Sequence, residues 1–196
     1  LVVAALLSLS LAPGALAQED VKASPSCRHC GMDREKFAAS RMVIQYDDGS
    51  SVGTCSIHCA ALDLATTLDK APTALLVADL GSKALVDAEK ATWVLGGAKQ
   101  GVMTRRGKWA FAERAAAEAF AKENGGTVVT FDEAMKAAYE KRARALVKAL
   151  EGSKKVSARM PEGGMFVMVD VRKTGLTGEA FAWKLLEEEN VVTMPG

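Results

Sequence analysis

All four cysteines and both histidines of this 196-residue chain lie between Cys27 and Cys59. The window opens with Cys27-Arg28-His29-Cys30-Gly31-Met32 and closes with Cys55-Ser56-Ile57-His58-Cys59. The 137 residues after Cys59 contain neither type. Cysteines that fill a core scatter along a chain, so this clustering points to shared chemistry. Thiolate, thioether and imidazole are the donors a soft metal ion takes. Cys27 and Cys30 have the spacing of a metal knuckle or a redox pair. Cys55 and Cys59 are one helical turn apart and share a face.

The donor set leaves three chemistries open. Cys30-Gly31-Met32 offers a thiolate and a thioether two residues apart, and Gly31 lets the backbone curl so that both sulfurs face one ion. That pairing favours Cu(I), because a zinc site has little use for a thioether. Met32 is alternatively a core filler. Cys27, Cys30, Cys55 and Cys59 taken as one set would suit structural zinc, or two disulfides with three possible pairings. His58, flanked by Cys55 and Cys59, is either a ligand or a structural residue, and so is His29. Met103 sits in the glycine-flanked polar loop Gly101-Val102-Met103-Thr104-Arg105-Arg106-Gly107, where a large apolar residue either packs or binds. Lys99, Arg105, Arg106 and Lys108 around it read as a solvated loop, with the capacity to dock an acidic partner. No Ser-His-Asp or glycine-rich phosphate signature stands out, and no catalytic residue is expected.

The elements that must position these residues follow from pattern. Arg41 to Tyr46 reads as a strand, Asp47-Asp48-Gly49 as a hairpin turn, and Ser51 to Cys55 as the return strand. Ser56 is placed to cap a helix from Ile57 to Leu68, with Ala60, Ala61, Leu64, Ala65 and Leu68 inward. Ala74 to Leu80 is a third strand. The order then recurs: strand Ala91–Leu95, strand Trp109–Phe111, helix Ala112–Asn124 with Ala116, Ala119 and Phe120 inward, and strand Thr127–Phe131 after Gly125-Gly126. This is an α+β chain with two ββαβ units, about 33–80 and 91–132, read as an internal duplication. A helix runs from Asp132 to Leu150, its buried stripe made by Ala143, Leu146, Val147 and Leu150. Met165 to Val171 is an apolar strand buried on both faces. Thr177 caps a last helix through Glu189, and Val191 to Met194 is a final strand.

The net charge of +1 argues against a nucleic-acid footprint. Residues 1–17 read as a signal peptide: an apolar run, Pro13-Gly14, and Ala15-Leu16-Ala17 before the cleavage point. Nothing after them is apolar enough, for long enough, to span a bilayer. Residues 18–26 read as a polar linker. The mature chain is therefore expected to be exported, periplasmic and soluble. The stop at Pro195-Gly196 directly after a strand reads as a truncation.

Residues 27–135 resemble the NosL family of copper accessory proteins for nitrous oxide reductase assembly. The resemblance rests on the Cys-Gly-Met motif behind an exported N-terminus and on the strands leading to Cys55-Ser56-Ile57-His58-Cys59. It rests also on Gly101-Val102-Met103, and on Phe120 to Gly126 ahead of Val128 to Glu133. It implies two ββαβ units, one Cu(I) bound through sulfur, and a copper-receiving partner in denitrification. It assigns Cys30, Met32 and Met103 as metal ligands. Cys27, Cys55, His58 and Cys59 are extra to that pattern and imply a variant or second metal locus, or a disulfide. The lipid-bearing cysteine usual in the family is absent.

Residues 136–196 resemble a truncated small domain of class I/II aminotransferases. The motifs are Tyr139 to Leu150, Pro161 to Asp170 and Phe181 to Gly196. Those enzymes use pyridoxal phosphate, held by a lysine in a large domain that these residues do not include. The resemblance therefore implies a fragment without transaminase activity. A small domain without its large partner exposes an apolar face and is expected to self-associate.

Overall fold

The computed structural model describes residues 19–161, 167–189, 191, 193 and 194. The expected signal peptide lies outside them. The stretch expected as a polar linker is ordered from residue 19 onward, and the cause is charge. Arg34 and Arg41 are both fully buried. A buried guanidinium is costly unless it is paired and hydrogen-bonded. Asp20, on the short helix α1 (Glu19–Ala23), supplies the pairing. Its Oδ2 accepts from Arg34 Nη2 at 2.8 Å and Arg41 Nε at 2.9 Å, and its Oδ1 from Arg41 Nη2 at 3.0 Å. Arg34 also donates to the carbonyls of Ser24 at 2.6 Å, Thr54 at 3.2 Å and Met42 at 3.1 Å. These bonds fasten the chain entry to the first strands.

β1 (Met42–Tyr46) and β2 (Ser51–Thr54) form the expected antiparallel hairpin, with Met42 opposite Thr54 and Gln45 opposite Ser51. Asp48 Oδ1 accepts from the Ser50 amide at 2.9 Å and closes the turn. Gly53 in β2 passes directly over Arg34: a Cβ there would stand 2.5 Å from Arg34 Nη1. Helix α2 (Ile57–Thr66) buries Ala60 and Ala61. It ends before Leu68, which is 63% exposed and not part of the inward stripe. β3 (Pro72–Ala78) and an unexpected short strand β4 (Leu85–Asp87) complete a sheet of order β2-β1-β3-β4.

β5 (Thr92–Leu95), β6 (Lys108–Phe111), α3 (Arg114–Asn124) and β7 (Thr127–Val129) follow, with sheet order β6-β5-β7. The inward stripe of α3 is Ala117, Phe120 and Ala121, against Val94, Trp109 and Phe111. Ala116 and Ala119, expected inward, are exposed. The helix starts two residues later than expected, and its packed face lies one position on from Ala116 and Ala119, a phase that the evenly spread alanines do not reveal. Asp79 ties the two sheets together. It bridges to Ala110, and its Oδ2 accepts from the Ala112 amide at 2.9 Å.

α4 (Phe131–Leu150) begins in a capping box. The Thr130 amide donates to Glu133 Oε2 at 2.8 Å, and the Glu133 amide donates to Thr130 Oγ1 at 3.3 Å. The box stops β7 at Val129, short of the Phe131 expected. On this helix Ala143 is buried, whereas Leu146 is 42% exposed. β8 (Ser157–Ala158) pairs with β9 (Val169–Asp170), and α5 (Gly178–Glu189) is capped by Thr177, whose Oγ1 accepts from the Ala180 amide at 3.1 Å. Of the apolar strand expected over 165–171, Met165 and Phe166 lie outside the described residues and β9 is the strand part of the rest. Met168 is 72% exposed, so burial on both faces does not hold. Val191, Thr193 and Met194 are not in a strand. The chain divides into two compact units between Met135 and Lys136.

Candidate metal centre

The knuckle is a miniature hairpin. Ser26 bridges Asp33, the Cys27 amide donates to the Met32 carbonyl at 2.8 Å, and the Gly31 amide donates to the Cys27 carbonyl at 2.9 Å. Gly31 takes φ +71°, a conformation open to glycine at little cost, and this curls Cys30 back toward Cys27. The Arg28 amide donates to the Gly53 carbonyl at 3.1 Å and seats the knuckle on β2. Cys55 directly follows β2, and Cys59 lies in the first turn of α2.

These elements bring four sulfurs to one point. The Sγ atoms of Cys27, Cys30, Cys55 and Cys59 all lie within 4.8 Å of one another. Cys30–Cys55 is 3.5 Å, and Cys55–Cys59 and Cys59–Cys30 are each 3.8 Å. All four are free thiols, so the two-disulfide arrangement is not the one adopted. The sulfurs form one cluster of four and not two bonded pairs. A metal–sulfur distance of ~2.3 Å places tetrahedral ligands ~3.8 Å apart, which these separations fit. Cys27, Cys55 and Cys59 are buried and Cys30 is half-buried, so the cluster meets solvent on the Cys30 side.

The thiols tune one another. Hydrogen bonds, from Cys59 above all, pull Cys55 down to about 6 against the cost of its burial. The same contact and burial push Cys59 up. Burial pushes Cys30 up to about 11, although the Met32 amide donates to its sulfur. Their shared contact thus pushes Cys55 and Cys59 in opposite directions. Ser56 occupies the N-cap position of α2, yet its hydroxyl makes no cap bond and faces Cys55 Sγ at 3.8 Å.

The other expected site residues divide. Met32 packs against the cysteines together with Phe37 and Val102. Met103, the neighbour of Val102, is 40% exposed and holds φ +63°, an uncommon conformation for a residue with a side chain. The loop that carries it touches the cluster through Val102. His58 is half-buried on α2, outside the four-sulfur group. His29 is outside the four-sulfur group and donates from Nε2 to Asp63 Oδ1 at 2.7 Å. Asp63 is 1% exposed and also accepts from the Tyr46 hydroxyl. Burial and this bond raise Tyr46 to about 12. Asp63 and Tyr46 were not expected at the site. One signal was there: Cys55, Cys59 and Asp63 recur at intervals of four.

Comparison with known proteins gives two family matches. Residues 18–139 match the NosL family, and residues 98–196 match aminotransferase class I and II. The C-terminal region is similar to the arginine–pyruvate transaminase AruH of Pseudomonas aeruginosa. Identity is 44% over 64 residues, 33% of this chain and 16% of that protein. It is also similar to the aspartate aminotransferase of Pyrococcus horikoshii, 33% identical over 86 residues, 44% of this chain and 21% of that protein. The chain therefore spans less than a quarter of either relative. Among solved structures, the copper chaperone NosL from Shewanella denitrificans gives a TM-score of 0.46 at 20% identity, covering 58% of this chain and 92% of that one. The two family matches overlap over residues 98–139, which hold β6, α3, β7 and the start of α4. Strands β6 and β7 pair with β5, which lies ahead of the aminotransferase match, so these strands fold with the first unit. No helix of the described residues is long and apolar enough to cross a membrane. The chain belongs to the NosL family through residues 18–139 and, through residues 98–196, to aminotransferase class I and II.

Proposed function

We propose that the four-sulfur cluster holds Cu(I) as cargo and passes it to a copper-receiving protein of nitrous oxide reductase assembly. The single observation that carries this reading is the convergence of Cys27, Cys30, Cys55 and Cys59, with Met32 packed on them. Soft sulfur donors suit Cu(I). Handover proceeds by ligand exchange: an incoming thiol or imidazole attacks from the half-buried Cys30 side, and the protein's thiolates leave one at a time. Met32 and the exposed Met103 are thioethers on hand as the coordination opens. On this reading the chain is not an enzyme. It is exported to the periplasm after cleavage of residues 1–17. Its two strand–strand–helix–strand segments, with equivalent strand orders, are a duplicated ββαβ unit. Residues 136–196 are an aminotransferase small-domain fragment whose exposed Met168, Trp183 and Leu186 favour self-association.

A second reading has its own support. Four cysteines with three of them buried is the donor set of a closed structural zinc site. Metal content and free-thiol count of anaerobically purified protein separate the two. For copper, Cys30→Ser and Met32→Leu both weaken Cu(I) binding, the former more, in competition with a chromophoric chelator. Unchanged affinity in both variants removes the proposal. The pH dependence follows from the thiols. Burial and thiol contacts keep Cys30 and Cys59 protonated through the neutral range, so both protons must leave when Cu(I) binds. Apparent affinity then falls at least about 100-fold per unit as pH drops from 8 to 7, and Cys55 adds a further decade per unit below about 6.

A further inference from the structure

The pair His29–Asp63 is not needed to ligate metal, and its placement is specific. A buried carboxyl is an expensive way to pack a helix on a sheet, since an apolar residue would do so at lower cost. This one has two partners, the Tyr46 hydroxyl from β1 and the His29 imidazole from the knuckle. Cys59 and Asp63 are four residues apart and lie on one stripe of α2. Cys30 and His29 are adjacent in the knuckle. The knuckle therefore meets α2 at two successive turns: sulfur against sulfur at 3.8 Å, and imidazole against carboxyl at 2.7 Å. The sulfur contact is weak without a metal, and it turns repulsive when both thiols ionise. The imidazole–carboxyl bond does not depend on metal.

We infer that Asp63 is a positioning residue that holds the knuckle on α2 through His29, so that the four sulfurs stand at ligand distance before metal arrives. Ordering the knuckle in advance removes an entropy cost that binding would otherwise carry. Carboxylates behind a metal site ordinarily brace the liganding histidine itself. Here the carboxyl braces a histidine set between two liganding cysteines. This inference rests on the metal-binding reading, though not on the metal being copper.

The test uses the full chain, reduced, with Cu(I) and separately Cd(II) as probes. Cd(II) reports thiolate assembly through its charge-transfer absorption. Asp63→Asn keeps the shape and the Tyr46 contact, and is expected to weaken both metals about 10–100-fold. His29→Phe, which has no donor, does the same, and the double variant is no worse than either single one, as two ends of one bond require. Tyr46→Phe, which leaves the His29 bond in place, stays within about threefold of the parent. The melting temperature of the metal-free protein is measured alongside. If Asp63→Asn does not fold, His29→Phe in the half-buried knuckle carries the test alone. Unchanged affinities overturn the inference, as do losses that multiply in the double variant or a Tyr46→Phe loss equal to that of Asp63→Asn. Strong Cd(II) binding with these ratios but weak Cu(I) binding sustains the positioning role and removes the copper reading.

Discussion

The segments 42–78 and 92–129 arrange their elements alike and differ in what their interiors hold besides apolar side chains. Each runs strand, strand, helix, strand, and in each sheet the first strand lies between the second and the third. In the second segment the helix buries Ala117 against Val94, Trp109 and Phe111, and the rings of Phe111 and Phe120 are 5.2 Å apart. That interior is held by apolar burial, at ~25 cal/mol per Å² removed from water. The first segment buries Met42, Ile44, Ala60 and Val77 as well, but its interior also takes in Cys55, Cys59 and Asp63, and Arg34 and Arg41 are buried beside it. The carboxyl and the two guanidinium groups lose hydration on burial, so each needs a named partner. The first segment thus carries buried charged groups where hydrogen bonds and ion pairs replace their lost hydration.

The most damaging single change should be Asp20→Asn. It leaves Arg34 and Arg41 buried without their shared carboxylate. Breaking a buried pair costs ~3–5 kcal/mol, which corresponds to roughly 10 °C in melting temperature for a chain of this size. Thermal denaturation of the metal-free protein checks this. A loss below ~1 kcal/mol would mean that the first segment is held by its apolar contacts, and the contrast between the segments would fail.

That dependence was the part of the molecule least legible in the sequence. The hairpin Met42–Thr54, helix α2 and strands β5, β6 and β7 could be read from alternation and turn residues, because those patterns are local. The cysteine cluster could be read because ligands declare themselves by type and spacing. Asp20 could not. In the sequence it stands in a run of charged residues that reads as solvated, and only the fold brings two guanidinium groups to it from 14 and 21 residues away. His29, Tyr46 and Asp63 likewise come from three elements, and nothing local marks them as partners. Strand β4 was missed because three residues carry no period. The apolar run before Asp170 was read as a doubly covered strand, since hydrophobicity records a preference for burial and not the presence of a covering layer.

Next in size is the loss of a sulfur. Cys59→Ser is expected to weaken metal binding at least ~100-fold, about a quarter of the ~10–16 kcal/mol that a four-ligand thiolate site can supply. The matching change in the second segment, Ala117→Ser, should leave metal affinity alone and cost ~1–3 kcal/mol of stability by burying a hydroxyl. Chelator competition and thermal melting on both variants form a crossed test. If Ala117→Ser altered affinity as strongly, the chemistry would not be confined to one segment.

The smallest effect concerns the residue that the two interiors share. Val102 packs both on the sulfur cluster and on the Val94–Trp109–Phe111 cluster. It is half-buried and its loop carries the strained Met103. Truncation to alanine removes two methyl groups from a partly covered site, so Val102→Ala should cost ~1 kcal/mol and lower the melting temperature by about 2–4 °C. Its effect on metal is the more telling measurement. The sulfurs are fixed by backbone bonds of the knuckle and by α2, none of which runs through the loop, so affinity should change less than about threefold. A larger loss would show that the apolar segment sets the spacing of the thiols, and that the two interiors act as one.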